Sequence, residues 1–68
     1  MNKVEISTEF ITLDSFLKFA GAVLTGGEAK IAILEGCVSV CGEVCTMRKK
    51  KLFKGDTVTF DGVEYKVV

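Results

Sequence analysis

The sequence predicts an α+β domain in which two packed helices are followed by a small, mostly antiparallel sheet. Three observations lead there. Apolar residues recur at helical spacing between Leu13 and Ala20, and again after Thr25. From Cys37 onward the period changes to alternation, with turn residues at Cys41-Gly42-Glu43 and Asp61-Gly62. The chain has 68 residues, 49% of them hydrophobic, and no proline. That length suits one domain spanning residues 1–68, and that composition suits a folded globule over a disordered tail.

At the start, Lys3-Val4-Glu5-Ile6-Ser7 alternates polar and apolar residues, as a short half-buried strand does. Residues 7–11 read as a connection, and Thr12 as an N-cap whose hydroxyl accepts from an amide of the first turn. Leu13, Phe16, Leu17 and Ala20 then share one face of a short helix ending near Gly21. Asp14 sits near the positive end of the helix dipole and pairs with Lys18 at i,i+4. Thr25 caps a second helix over about residues 26–35, and Glu28 completes the capping-box spacing. Ala29, Ala32 and Ile33 are expected to face the first helix, with Ile31 and Leu34 covered by the sheet. Gly36 ends the helix at a position that favours a left-handed residue.

In the second half, Val38 and Val40 point one way and Cys37, Ser39 and Cys41 the other, with Cys41-Gly42-Glu43 turning the chain into Val44-Cys45. Lys54-Gly55-Asp56 reads as another turn. Residues 57–60 and 64–68 are strands joined through Asp61-Gly62, the strongest hairpin signal in the chain.

Charge is distributed unevenly. The formal net charge is zero, yet residues 1–47 carry three lysines against six acids, and residues 55–68 one lysine against three. Between them Arg48, Lys49, Lys50, Lys51 and Lys54 stand without an acid. A concentrated positive site of this kind attracts phosphate. Thr25, Gly26 and Gly27 offer backbone amides at a helix N-terminus, where the dipole suits an anion, and Lys30 lies in the first turns of that helix. The candidate site is therefore Thr25, Gly26, Gly27, Lys30, Arg48, Lys49, Lys50, Lys51 and Lys54. Its competing readings are a charged edge that keeps a small sheet soluble, and a loop that binds an acidic protein partner.

Other function classes find less support. The chain has no histidine, no nucleophile–base set and no P-loop or dinucleotide motif, so an enzyme is not expected. Cys37, Cys41 and Cys45, without histidine, make an incomplete zinc set unless a carboxylate or a second chain completes it. They are read as free thiols of a reducing compartment used as small hydrophobes, and no metal or cofactor is expected. No apolar stretch approaches the roughly 20 residues that cross a bilayer, and no signal peptide precedes the first strand, so a cytoplasmic protein without a membrane partner is expected.

Taken in order, Thr12-Leu13-Asp14 with Leu17, Gly26-Gly27-Glu28-Ala29-Lys30, Glu35-Gly36 with Val38 and Val40, Gly42-Glu43, Arg48-Lys49-Lys50-Lys51, and Gly55-Asp56 with Val58 resemble the S4 RNA-binding domain. The resemblance covers about residues 10–60 and is closest to small stand-alone bacterial S4-like proteins. It implies a helix-helix-hairpin unit, also known as the αL motif, whose second helix and hairpin loop together grip structured RNA, with ribosomal or transfer RNA the expected partner; a monomer is assumed. Two places depart from the pattern. Gly27-Glu28 stands where many S4 domains have Ser-Arg, which shifts the phosphate grip toward Lys30 and residues 48–51, and Val40-Cys41-Gly42 replaces the common Val-Asn-Gly turn. No aromatic pair of the kind that stacks bases on an RRM sheet is present, so shape and backbone are the expected basis of recognition.

Overall fold

Alternation and turn chemistry build the sheet. In the computed structural model, which describes residues 2–68, Val38 and Val40 of β3 (Val38–Val40) and Val58 of β6 (Thr57–Phe60) point into the core. Cys41 and Gly42 have φ of 51° and 87°, and Asp61 and Gly62 have 53° and 75°. Two consecutive left-handed residues match the right-handed twist of flanking strands. Each pair therefore closes a tight hairpin, from β3 into β4 (Glu43–Val44) and from β6 into β7 (Val63–Val67). The strand order is β1-β7-β6-β3-β4, and every pairing is antiparallel except that of β1 (Asn2–Val4) with β7. The α+β class is as the sequence predicts.

β1 is shorter than the alternation suggested and lies parallel to the last strand, in register Asn2↔Tyr65 to Val4↔Val67. Ile6 N–H donates to Val68 O at 3.0 Å and buries its side chain, so the pairing of the two chain ends continues past the ladder. A parallel pair needs a long crossover, and here the whole remainder of the domain supplies it.

Between the ends, α1 (Leu13–Phe19) buries Leu13, Phe16 and Leu17 completely, and Phe16 meets Tyr65 edge-on at 6.2 Å. α2 (Gly26–Leu34) buries Ala29 and Ile33 against α1. Val38, Val58, Val67 and Leu52 complete the fully buried set. Each large apolar side chain removed from water contributes about 1.5–3 kcal/mol, so these residues dominate a small core. The expectation that the sheet would also cover Ile31 and Leu34 is overturned: they are 59% and 56% exposed. α2 is apolar around most of its circumference, and packing buries Ala29 and Ile33 and half-buries Ala32.

A second correction concerns the chain before α1. Ile11–Thr12 is a strand, β2, where a connection was expected, and it pairs antiparallel with β5 (Lys51–Leu52), inside the basic run. Thr12 does occupy the N-cap position, but its hydroxyl donates to Asp14 Oδ1 at 2.7 Å instead of accepting from the helix. No helix among the described residues is long and apolar enough to cross a membrane.

Candidate nucleic-acid interface

The basic segment is positioned by its backbone, which leaves its side chains exposed. α1 has no side-chain cap from Thr12, and its first amides take partners from the segment instead: Leu13 N–H donates to Lys50 O at 2.9 Å and Asp14 N–H to Arg48 O at 3.0 Å. A tight turn, Lys50 N–H to Met47 O at 3.0 Å, bends the chain so that both carbonyls reach the helix. Leu52, fully buried, anchors the segment next to that turn. Beyond it, Asp56 Oδ2 accepts from Phe53 N–H at 2.8 Å, and Gly55 takes φ 100°, a left-handed value that favours glycine. Arg48, Lys49, Lys50, Lys51 and Lys54 are all exposed. Lys51 Nζ lies 4.8 Å from the centre of the Phe10 ring, which in turn leans on Phe53 at 6.1 Å.

Lys49 forms the one ion pair among the described residues, Nζ to Asp14 Oδ2 at 3.0 Å, in place of the expected pair between Asp14 and Lys18. Partial burial acts to raise the Asp14 pKa. The hydrogen bond from Thr12, the contact with Lys49 and the Ser15 N–H outweigh it and hold the carboxyl below the ordinary aspartate value. Asp14 thus ties a cation of the loop to the first turn of α1. The two residues are far apart in sequence, and no local signal announces their pairing.

The N-terminus of α2 carries the other half of the expected site. Thr25 Oγ1 accepts from Glu28 N–H at 3.1 Å, and Ala29 N–H closes on Thr25 O at 3.2 Å. Among the described residues the amides of Gly26 and Gly27 have no acceptor, and the space where a Cβ would stand is open at Gly26 and bordered only by Thr25 Oγ1, at 3.8 Å, at Gly27. Thr25, Gly26, Gly27 and Lys30 are exposed.

No hydrogen bond or ion pair among the described residues joins residues 25–30 to residues 48–54. The loop is fastened to the beginning of α1. Ala22 and Val23 N–H both donate to Leu17 O, folding the linker onto the end of α1, so only Leu24 and Thr25 remain to reach α2. The loop thus meets the start of α1 and the linker to α2 folds onto its end; at 1.5 Å per residue α1 is about 10 Å long.

Cys37 and Cys41 are exposed and Cys45 is half-buried against the core; all three are free thiols. Among the described residues no cluster of three or more Cys, Asp or Glu is placed to hold a metal.

Known proteins share the sequence and the fold. The S4 domain family matches residues 4–68. Over 61 residues the chain is 43% identical to the probable ribosome maturation protein RlbA of Bacillus subtilis, covering 90% of this chain and 86% of that one. It is also 43% identical over 58 residues to the putative RNA-binding protein YbcJ of Escherichia coli, covering 85% and 83%. The solution structure of YbcJ, described as revealing an αL motif involved in RNA binding, superposes with a TM-score of 0.77 at 38% identity, over 100% of this chain and 87% of that one. The 30S ribosomal protein S4e of Thermoplasma acidophilum shares the fold, with a TM-score of 0.69 at 23% identity, over 91% of this chain and 33% of that one. With a family match over nearly its whole length and relatives 43% identical over most of both chains, the chain belongs to the S4 domain family.

Proposed function

We propose that this protein is a non-catalytic RNA-binding module that grips the backbone of a folded RNA. Arg48, Lys49, Lys50, Lys51 and Lys54 form the main contact, and the Gly26 and Gly27 amides with Thr25 and Lys30 receive a further phosphate. The observation that carries this reading is the run of five exposed cations on a backbone held by α1 and by the buried Leu52. The ordering cost of this backbone is met by folding, so the cations reach a phosphate without refolding of the segment, Lys49 once it releases Asp14. Ribosomal RNA is the preferred target class, because RlbA is named for ribosome maturation, and the site of action is the cytoplasm.

Fluorescence anisotropy with a labelled RNA hairpin tests the reading. Roughly four or five phosphate contacts give an affinity that falls about a hundredfold between about 50 and 200 mM salt. Binding with almost no salt slope would refute it. A protein partner captured after nuclease treatment, with no RNA crosslinked at Lys49 or Lys50, would favour an acidic protein as the ligand.

A further inference from the structure

Beside the basic segment the surface forms a groove of about 460 Å³ between β4 and the chain leading into Arg48. That volume lies within the ~300–1,000 Å³ typical of small-ligand sites. Its wall includes Val44 and Met47, which are 65% and 67% exposed although both are large and apolar. Neither belongs to the core, and both stand next to a segment that is otherwise cationic. Lys50 closes the groove on the side of the phosphate-binding run, and Glu43 and Asp56 contribute carboxylates. Asp56 is already engaged: Oδ2 accepts from Phe53 N–H, and Oδ1 faces the Cys41 thiol at 3.7 Å. Glu43 has no hydrogen-bond or ion-pair partner among the described residues, so both of its oxygens are free to accept.

We propose that this groove seats one unpaired nucleobase of the bound RNA, with guanine preferred. The inference rests on the RNA-binding reading above and adds a base-selective element to it. An extruded base is flat, apolar on its faces and polar at its edge, and proteins hold such bases by stacking and by hydrogen bonds to the Watson–Crick edge. Val44 and Met47 supply the apolar contact, the Met47 thioether being well suited to an aromatic face. Lys50 meets the adjoining phosphate. The chemistry of Glu43 selects the base. A carboxylate only accepts hydrogen bonds, and guanine alone presents two adjacent donors, N1–H and the N2 amino group, on one edge. Uracil presents a single N–H between two carbonyls, which the carboxylate oxygens repel. Adenine and cytosine place one amino group beside an acceptor and fall between these.

The test uses labelled RNA hairpins identical except for a single bulged guanine, a single bulged uracil or no bulge, titrated by anisotropy against the full chain. The wild type is expected to bind the bulged-guanine hairpin roughly tenfold more tightly than the fully paired one, as one stacked base typically confers. Met47→Ser is expected to remove most of that advantage and to leave affinity for the paired hairpin and its salt slope unchanged. Glu43→Gln is expected to erase the preference for guanine over uracil while keeping the advantage of a bulge. Equal wild-type binding to all three hairpins, with the salt slope intact, would overturn the base seat and leave the phosphate grip standing. Variants that weaken paired and bulged hairpins alike would also overturn it. Failure to bind any hairpin would overturn both readings together.

Discussion

Replacing Asp14 with asparagine separates two effects that the structure joins in one carboxylate. Asp14 Oδ2 holds Lys49 Nζ at 3.0 Å, while Oδ1 accepts from the Thr12 hydroxyl and the Ser15 amide, both at 2.7 Å. Asparagine keeps an oxygen in the Oδ1 position, so Asp14→Asn removes the charge and leaves the local turn. An ion pair with an exposed partner, here a lysine side chain 66% exposed, contributes about 0.2–1 kcal/mol. An acid in the first turn of a helix adds about 0.3–1 kcal/mol through the dipole. The variant is therefore expected to lose about 0.5–2 kcal/mol of stability, a fall in Tm on the order of 5 °C for a domain this small. RNA affinity should move the other way. Lys49 must leave Asp14 to reach a phosphate, and removing that competition is expected to tighten binding about 1.5- to 5-fold at low salt. Circular dichroism melts and anisotropy titrations of the same preparations measure both quantities. Weaker RNA binding by Asp14→Asn would refute the reasoning, because Asp14 would then be presenting Lys49 to the ligand instead of withholding it.

Changing Arg48, Lys49, Lys50 and Lys51 together to serine is expected to leave the fold intact, since main-chain carbonyls make the contacts to α1. The same change should reduce the slope of log affinity against log salt by about 3, at roughly 0.7–0.9 per lost phosphate contact; an unchanged slope would remove these residues from the interface. Leu52→Ala empties a fully buried position and is expected to cost about 2–5 kcal/mol, enough to lower the melting temperature steeply or unfold the chain. A melt within a degree or two of wild type would mean that β5 does not anchor the basic segment. Because the folded Asp14 pKa is depressed, its stabilisation is fully present above the ordinary aspartate value of about 3.9 and disappears as pH falls through the lower folded value. Urea midpoints of wild type and Asp14→Asn should thus differ at neutral pH and converge in strong acid; a gap that persists there would contradict the assignment.

Much of the fold was legible because its signals are local. Leu13, Phe16 and Leu17 mark the buried face of α1 by spacing alone, and the Thr25–Glu28 cap locates the start of α2 to the residue. Cys41-Gly42 and Asp61-Gly62 turn where the sequence placed them, since few residue pairs adopt two left-handed conformations in succession. The candidate cations were legible as an uninterrupted charge run, and all of them are exposed. What escaped was non-local. β2 and β5 are two residues each, too short for any period, and each exists only because Ile11 meets Leu52 and Thr12 meets Lys51. The burial of α2 was ambiguous for a different reason: Ile31, Leu34, Ala29 and Ile33 are all apolar, and only the placement of α1 and the sheet decides which are covered.

By itself, the sequence determined that this chain makes two short helices and two tight hairpins, and that its positive charge is gathered in one stretch. Those properties depend on dihedral preference and on spacing within a few residues. The tertiary structure decided where that stretch goes. The unpaired amides of α1 are satisfied by the carbonyls of Arg48 and Lys50, and Asp14 captures Lys49. Partners so distant in the chain are chosen by the packing of the whole core, which brings these polar groups together only once the chain has folded.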